Sequence, residues 1–176
     1  AWRDHAREKG RSMPVALQLD TGMSRLGLSH GDVAELAGEP MGLSGLSVEL
    51  LMSHLACADA PAHPANGRQR RAFAKLRTVL PRRAASSLAN SAGILLGPEF
   101  RFDLVRPGAA LYGINPVPEG SNPFRQAVTL STRVIQIREV PAGTSVGYGH
   151  ARTVERQSRL ATLSLGYADG WPRAAN

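Results

Sequence analysis

The sequence predicts an α/β chain, a partial β/α barrel of parallel strands followed by the start of an all-β domain. Two observations carry this. Up to about Asn115, short apolar stretches alternate with segments of helical period, the pattern of β/α units around a parallel sheet. Beyond Pro116-Val-Pro-Glu-Gly-Ser-Asn-Pro123, a proline- and glycine-rich stretch, the alternation has period two only, as strands require. The expected division is 1–115 for the barrel part, 116–126 for a linker and 127–176 for the β part.

The first strand is expected at Val15 to Leu19, running directly into Asp20-Thr-Gly-Met-Ser-Arg25. Next, Ser29-His-Gly-Asp32 reads as a capping box, with the serine and the aspartate each serving the other's backbone N–H, opening a short helix through Val33, Ala34 and Leu36. Leu46 to Met52 is the second strand. Arg68 to Leu80 is the longest helix, with Phe73, Leu76, Val79 and Leu80 on one face and Lys75 off it, in solvent. Ala84 to Leu88 and Phe102 to Val105 complete the barrel strands. About four β/α units are therefore expected, half of what a closed eight-stranded barrel needs. In the second part Val128, Leu130, Thr132 and Val134 alternate with Thr129, Ser131, Arg133 and Ile135, Pro141-Ala-Gly-Thr144 marks a turn, and Arg159 to Leu165 is a further strand.

Composition narrows the functional class. The net charge of +7 comes with nineteen arginines and two lysines, and only Arg68-Gln-Arg-Arg71 and Arg82-Arg83 cluster. No aromatic-studded basic strand accompanies them, so nucleic-acid binding is not expected. The charge reads as solvated surface or as attraction for an anionic ligand. No apolar run is long enough to cross a bilayer and the N-terminus lacks the apolar stretch of a signal peptide, so a cytoplasmic protein without membrane contact is expected. A start at Ala1 rather than Met points to an internal portion of a longer chain. The single Cys57 has no partner for a disulfide or a metal pair; it is expected to be a small buried apolar residue, and no metal site is expected. Lys9, just before Gly10, and Lys75 both lack the apolar surroundings of a buried catalytic amine.

The polar motifs follow the strands in order: Asp20 to Arg25, Ser53-His-Leu-Ala-Cys-Ala-Asp59, Asn90-Ser-Ala-Gly93, and Arg106-Pro-Gly-Ala-Ala-Leu-Tyr-Gly113. In a parallel barrel the strand C-termini carry the loops that do chemistry. Asn90 and Ser91 offer hydrogen bonds, and the turn at Pro107-Gly108-Ala109 exposes backbone N–H groups, a combination suited to phosphate. Each motif also has a plain structural reading: a solvated arginine in a strand-to-helix connection for Arg25, a tight turn for Gly108, a packed aromatic between two glycines for Tyr148.

Taken together, Asp20-Thr-Gly-Met-Ser-Arg-Leu-Gly27, Ser53-His54 with Ala58-Asp59, Ala89-Asn-Ser91, Val105-Arg-Pro-Gly108 with Leu111-Tyr-Gly113, Val146-Gly-Tyr-Gly149 and Gly166-Tyr-Ala-Asp-Gly170 resemble the bacterial alanine racemases over essentially the whole chain. The resemblance implies the second half of a TIM-type barrel followed by the start of the C-terminal β domain, with pyridoxal 5'-phosphate as cofactor and alanine as substrate. It implies Arg106 facing the pyridine nitrogen with His54 beside it, and Asn90, Ser91, Gly108 and Ala109 around the phosphate. It also implies Tyr148 as one of two catalytic bases, acting in the site of the partner subunit of a homodimer. Arg25 would lie near the substrate carboxylate, with Tyr167 and Asp169 in the substrate-entry region.

The chemistry suits these residue types. Arginine has no proton to give, so opposite a pyridine nitrogen it leaves that atom neutral and restrains side reactions. Racemisation needs a base on each face of the α-carbon. Two departures qualify the resemblance. The family's cofactor lysine falls in a segment this chain does not contain, so the chain alone is expected to be inactive. Gln18 stands where a carbamylated lysine often helps orient the arginine matched by Arg25; a neutral amide can bond that arginine without neutralising it. A broad-specificity amino-acid racemase of the same fold, or a non-catalytic cofactor- or anion-binding remnant, are the alternatives.

Overall fold

The computed structural model describes residues 1–39, 41–81 and 83–172; Arg82 of the second basic cluster lies outside them. The chain gathers into two units, Ala1–Val128 and Thr129–Asn176.

In the first unit, β1 (Met13–Gln18), β2 (Leu46–Met52) and β3 (Ala85–Ser87) form a parallel sheet in that order. The helices are α1 (Trp2–Glu8), α2 (His30–Gly38), α3 (Pro64–Leu76) and α4 (Ser91–Leu95). The capping box forms as expected: Ser29 N–H donates to Asp32 Oδ2 at 2.7 Å, and Asp32 N–H to Ser29 Oγ at 3.2 Å. Pro64 occupies the first turn of α3, where its missing N–H costs nothing, and the His63 ring caps the helix by accepting from Ala65 N–H. The core is one cluster in which Leu19, Leu51 and Leu88 from the strand ends pack with Val33 of α2 and Phe73 of α3. Phe73 is fully buried and meets Phe102 edge-on, with ring centroids 5.0 Å apart; burying such a side chain contributes about 1.5–3 kcal/mol.

Three expectations are corrected here. The helix expected over Arg68–Leu80 begins earlier and ends at Leu76, passing into a tighter 3₁₀ turn at Arg77–Val79. That turn rotates Val79 out to 53% exposure while Leu80 returns to the core. Phe102 to Val105 is not a strand. Phe102 takes a φ of +51°, and the Asp103 carboxylate accepts the Ser86 N–H at 2.9 Å, which a strand carbonyl would otherwise take. The N–H groups of Asp103 and Leu104 both turn to Ser86 O, so the segment follows β3 without building a ladder. Among the described residues the parallel strands therefore number three rather than four. Cys57 is half-buried rather than buried. Lys9 and Lys75 are exposed.

In the second unit β4 (Val134–Val140) pairs antiparallel with β7 (Ser158–Leu163), and β5 (Ser145–Val146) with β6 (Arg152–Thr153). The turn at Pro141–Thr144 forms as expected, Thr144 Oγ1 donating to Pro141 O. The strand expected from Val128 starts only at Val134. Its partner ends at Leu163, and past it Ser164 N–H bonds Arg133 O as the last rung, leaving 128–132 outside the sheet.

One close approach fixes the loop after β1. Gly27 has a φ of +114°, and a Cβ there would stand 2.8 Å from Gln18 O and 3.0 Å from Asp20 N. The Gly27→Ala variant is expected to lose about 1–3 kcal/mol in urea denaturation; a loss under about 0.5 kcal/mol, the range of an ordinary surface change, would contradict this packing.

Candidate functional site

The loop from Asp20 to Gly27 is closed at its base, where Leu28 N–H donates to Gln18 O and Asp20 N–H to Leu28 O, both at 2.8 Å. Its shape is set by one carboxylate. Asp20 Oδ1 accepts the N–H groups of Gly22, Met23 and Ser24 at 2.9, 3.0 and 3.0 Å. Those bonds, led by Gly22, hold the Asp20 carboxyl below the usual carboxylate range. Arg25 is exposed on this loop. Gln18 donates to Leu26 O at 3.2 Å, so its amide supports the loop backbone instead of the Arg25 guanidinium.

At the ends of β2 and β3, His54, Asn90, Ser91, Arg106, Gly108 and Ala109 line a cleft of about 430 Å³, with Met23 on its wall. Arg106 is anchored by its own backbone, which donates to Ala89 O, and its guanidinium donates to Ser87 Oγ and to the Ser53 carbonyl. Burial pushes that guanidinium below its ordinary value, although arginine stays cationic throughout the working pH range. Arg106 Nη2 lies 3.5 Å from His54 Nδ1, and Asn90 Nδ2 lies 3.4 Å from His54 Nε2. The imidazole is thus flanked by donors on both sides. A neutral ring accepts from one of them; a protonated ring would set an N–H against each. Burial first, then the charges of Arg106 and Arg25, hold His54 below its ordinary value.

The other end of the cleft is built to receive negative charge. Asn90 caps α4 by accepting Gly93 N–H at 2.9 Å and donates to Leu55 O. Ser91 Oγ accepts from Ala110 N–H at 3.2 Å, joining the α4 start to the turn after Arg106. The N–H groups of Gly108 and Ala109 donate to no protein acceptor among the described residues, and a Cβ on Gly108 would meet nothing within 4 Å. Free backbone donors beside a cation and two polar side chains fit an anion such as a phosphate ester. Among the described residues no cluster could hold a metal ion, and no helix is long and apolar enough to cross a membrane.

Tyr148, Tyr167 and Asp169 all belong to the second unit. Tyr148 is 81% exposed in the turn Tyr148–His150. Tyr167 is exposed, and the Asp169 carboxylate is taken up locally, accepting Gly166 N–H at 2.9 Å.

Sequence reasoning gave no role to four supporting residues, although Thr21 and Ser53 fall inside motifs it singled out. Thr21, Ser53, Gln69 and Ser87 are buried polar groups that brace the loops carrying His54 and Arg106. Gln69 carried a signal: it shares a helical face with Phe73, Leu76 and Leu80, and a polar residue in a buried stripe asks for partners.

Residues 1–116 match the family model described as alanine racemase, N-terminal domain, and residues 127–176 the one described as alanine racemase, C-terminal domain. The chain is 52% identical over 173 residues to the catabolic alanine racemase of Mesorhizobium japonicum, a match covering 98% of this chain and 45% of that protein. It is 47% identical over 174 residues to the alanine racemase of Rhodospirillum rubrum, covering 99% of this chain and 46% of that one. Among solved structures, the alanine racemase of Bartonella henselae with covalently bound pyridoxal phosphate is similar with a TM-score of 0.81 at 40% identity, over 98% of this chain and 48% of that one. The alanine racemase of Streptomyces coelicolor A3(2) gives 0.86 at 37% identity, with the same coverage of 98% and 48%. The chain spans about half the length of the curated relatives it matches.

Because the His54 value lies below 6.5, folding expels a proton once the pH drops under that value. Stability is therefore full above it and declines as the pH falls beneath it. An NMR titration of the His54 ring should give a midpoint below 6.5, and denaturation between about pH 7 and 5 should show a weaker pH dependence in His54→Gln. A ring titrating at or above the ordinary value would contradict the donor-flanked geometry.

Proposed function

This chain belongs to the alanine racemase family, and on that premise we propose that it works as part of an enzyme interconverting L-alanine and D-alanine with pyridoxal 5'-phosphate. Such an enzyme supplies D-alanine for peptidoglycan, and a cytoplasmic homodimer with shared sites is its proposed form. The observation that carries the reading is the cleft that joins an arginine paired with no carboxylate among the described residues, and its neighbouring histidine, to backbone donors left without a protein acceptor among them.

Asn90, Ser91 and the N–H groups of Gly108 and Ala109 would hold the phosphate, and Arg106, with His54 beside it, would face the pyridine nitrogen. When bound, the cofactor supplies an electron-withdrawing system that acidifies the substrate α-carbon. The Arg106 guanidinium holds its protons too tightly to give one up, so it would hydrogen-bond the ring nitrogen without protonating it. Burial, then the charges of Arg106 and Arg25, favour the neutral His54 ring, so it does not add a second positive charge beside Arg106. Arg25 is assigned to the substrate carboxylate, which a guanidinium suits by its paired N–H groups. Tyr148 is assigned the role of a base on one face of the α-carbon, in the site of the partner subunit, with Tyr167 and Asp169 at the entry.

Domain roles follow: 1–115 as the cofactor-holding part of the barrel, 116–126 as a linker, 127–176 as the β domain that carries the base. Lys9 and Lys75 are both exposed and neither lines the cleft, so this chain alone is proposed to be inactive.

The complete protein, supplied with pyridoxal 5'-phosphate in D₂O, should convert L- to D-alanine and exchange the α-proton. Tyr148→Phe should slow conversion by at least about 10²-fold, the usual contribution of a positioned acid–base group. Turnover of serine, lysine or arginine at rates matching alanine would make it a broad-specificity racemase. Absence of any α-proton exchange would overturn the assignment.

A further inference from the structure

We propose that Gln69 is a positioning residue for this site: its carboxamide clamps the backbone of the His54 loop, ties it to the Arg25 loop, and so keeps the His54 ring beside Arg106. The proposal deepens the racemase reading and rests on it only for the effect on turnover.

The need for a clamp follows from where the sheet ends. β2 stops at Met52, and Ser53 N–H makes the last strand-type bond, to Ser87 O at 3.0 Å. Beyond it, the His54 carbonyl and the Ala56 N–H have no strand beside them. Gln69 supplies what a neighbouring strand would. From α3, at 2% exposure, its Oε1 accepts Ala56 N–H at 2.9 Å and its Nε2 donates to His54 O at 2.9 Å. One side-chain amide thus reproduces both halves of a peptide pairing, bracketing Leu55.

The clamp reaches both sides of the site. Nε2 is also 3.4 Å from Thr21 Oγ1, and Thr21 Oγ1 is 2.7 Å from Ser53 Oγ, all within the buried interior. The stem of Gln69 lies against the Asp20 loop, since a Cβ on Gly22 would meet Gln69 Cγ at 3.5 Å. Leu55, held between the two clamp bonds, accepts Asn90 Nδ2 at its carbonyl. A single buried amide therefore connects the loop bearing Arg25, the loop bearing His54 and the cap of α4. Methionine, of similar length, fills the space and offers neither the donor nor the acceptor.

The test uses the complete protein loaded with pyridoxal 5'-phosphate. The charged groups around His54 are Arg106, Arg25 and Asp59, which lines the same cleft. In Gln69→Met the His54 ring should drift from Arg106, so its NMR titration should move up toward 6.5. In the same variant kcat should fall by about 10- to 100-fold, as misplacements on the order of 1 Å do, with KM for alanine little changed. Leu76→Val loosens the same helix without touching the clamp; it should lower the melting temperature and leave the His54 titration in place. The unmutated protein gives a check that needs no variant to fold: Ala56 N–H should exchange with solvent at least about 10²-fold more slowly than in an unstructured chain, because a closed bond blocks exchange. An unprotected Ala56, or a His54 titration unmoved in a folded Gln69→Met, overturns the clamp. Loss of the racemase reading alone would show as absent α-proton exchange with the Ala56 protection and the His54 shift both intact.

Discussion

The guanidinium of Arg106 is the element around which the site is organised. It is partly buried, and among the described residues no carboxylate pairs with it. Its bonds go to neutral acceptors, the Ser87 hydroxyl, the Ser53 carbonyl and the His54 ring. A cation held this way keeps its full charge and directs its field into the cleft. Neutral acceptors fix its orientation at the ends of β2 and β3 without cancelling what it offers a ligand. Burial first favours the neutral His54 ring, and Arg106 adds to it, since a second positive charge in contact with the first would be repelled.

The loops around Arg106 are shaped by side chains that stand in for missing backbone partners. Asp20 gathers three successive N–H groups, Asn90 caps α4, Asp103 takes the free N–H of β3, and Gln69 pairs with the His54 and Ala56 peptides. Asp103 acts along the open side of β3, and the others act beyond the strand ends, where a parallel sheet exposes its functional edge. Rigid positioning and ligand access are thus reconciled: the backbone turns away from the sheet while its polar groups remain satisfied.

The first two strands, the capping box and the turn at Pro141–Thr144 were legible because each depends on neighbours in sequence. Phe102–Val105 was not, because its apolar residues resemble a strand while Asp103 and the left-handed Phe102 divert the chain. Residues 128–132 alternate as a strand does, yet alternation cannot reveal whether a partner lies beside them. Val79 was misplaced by extending the helical period through a 3₁₀ turn. In the site, His54, Asn90, Ser91, Arg106, Gly108 and Ala109 were singled out by type and motif and stand around one cleft. The residues that brace them, above all Gln69, were hidden because their partners are backbone atoms far away in sequence.

The proposed role of Arg106 is that of a cation that keeps its protons and, with a neutral histidine at its side, governs the electronics of the ring that binds the cleft. Its most direct test is the ¹⁵N chemical shift of the pyridine nitrogen of labelled pyridoxal 5'-phosphate bound to the complete protein at neutral pH. The account predicts the shift of an unprotonated, hydrogen-bonded nitrogen. A protonated pyridinium nitrogen would contradict it, because Arg106 would then not be the group that faces the ring.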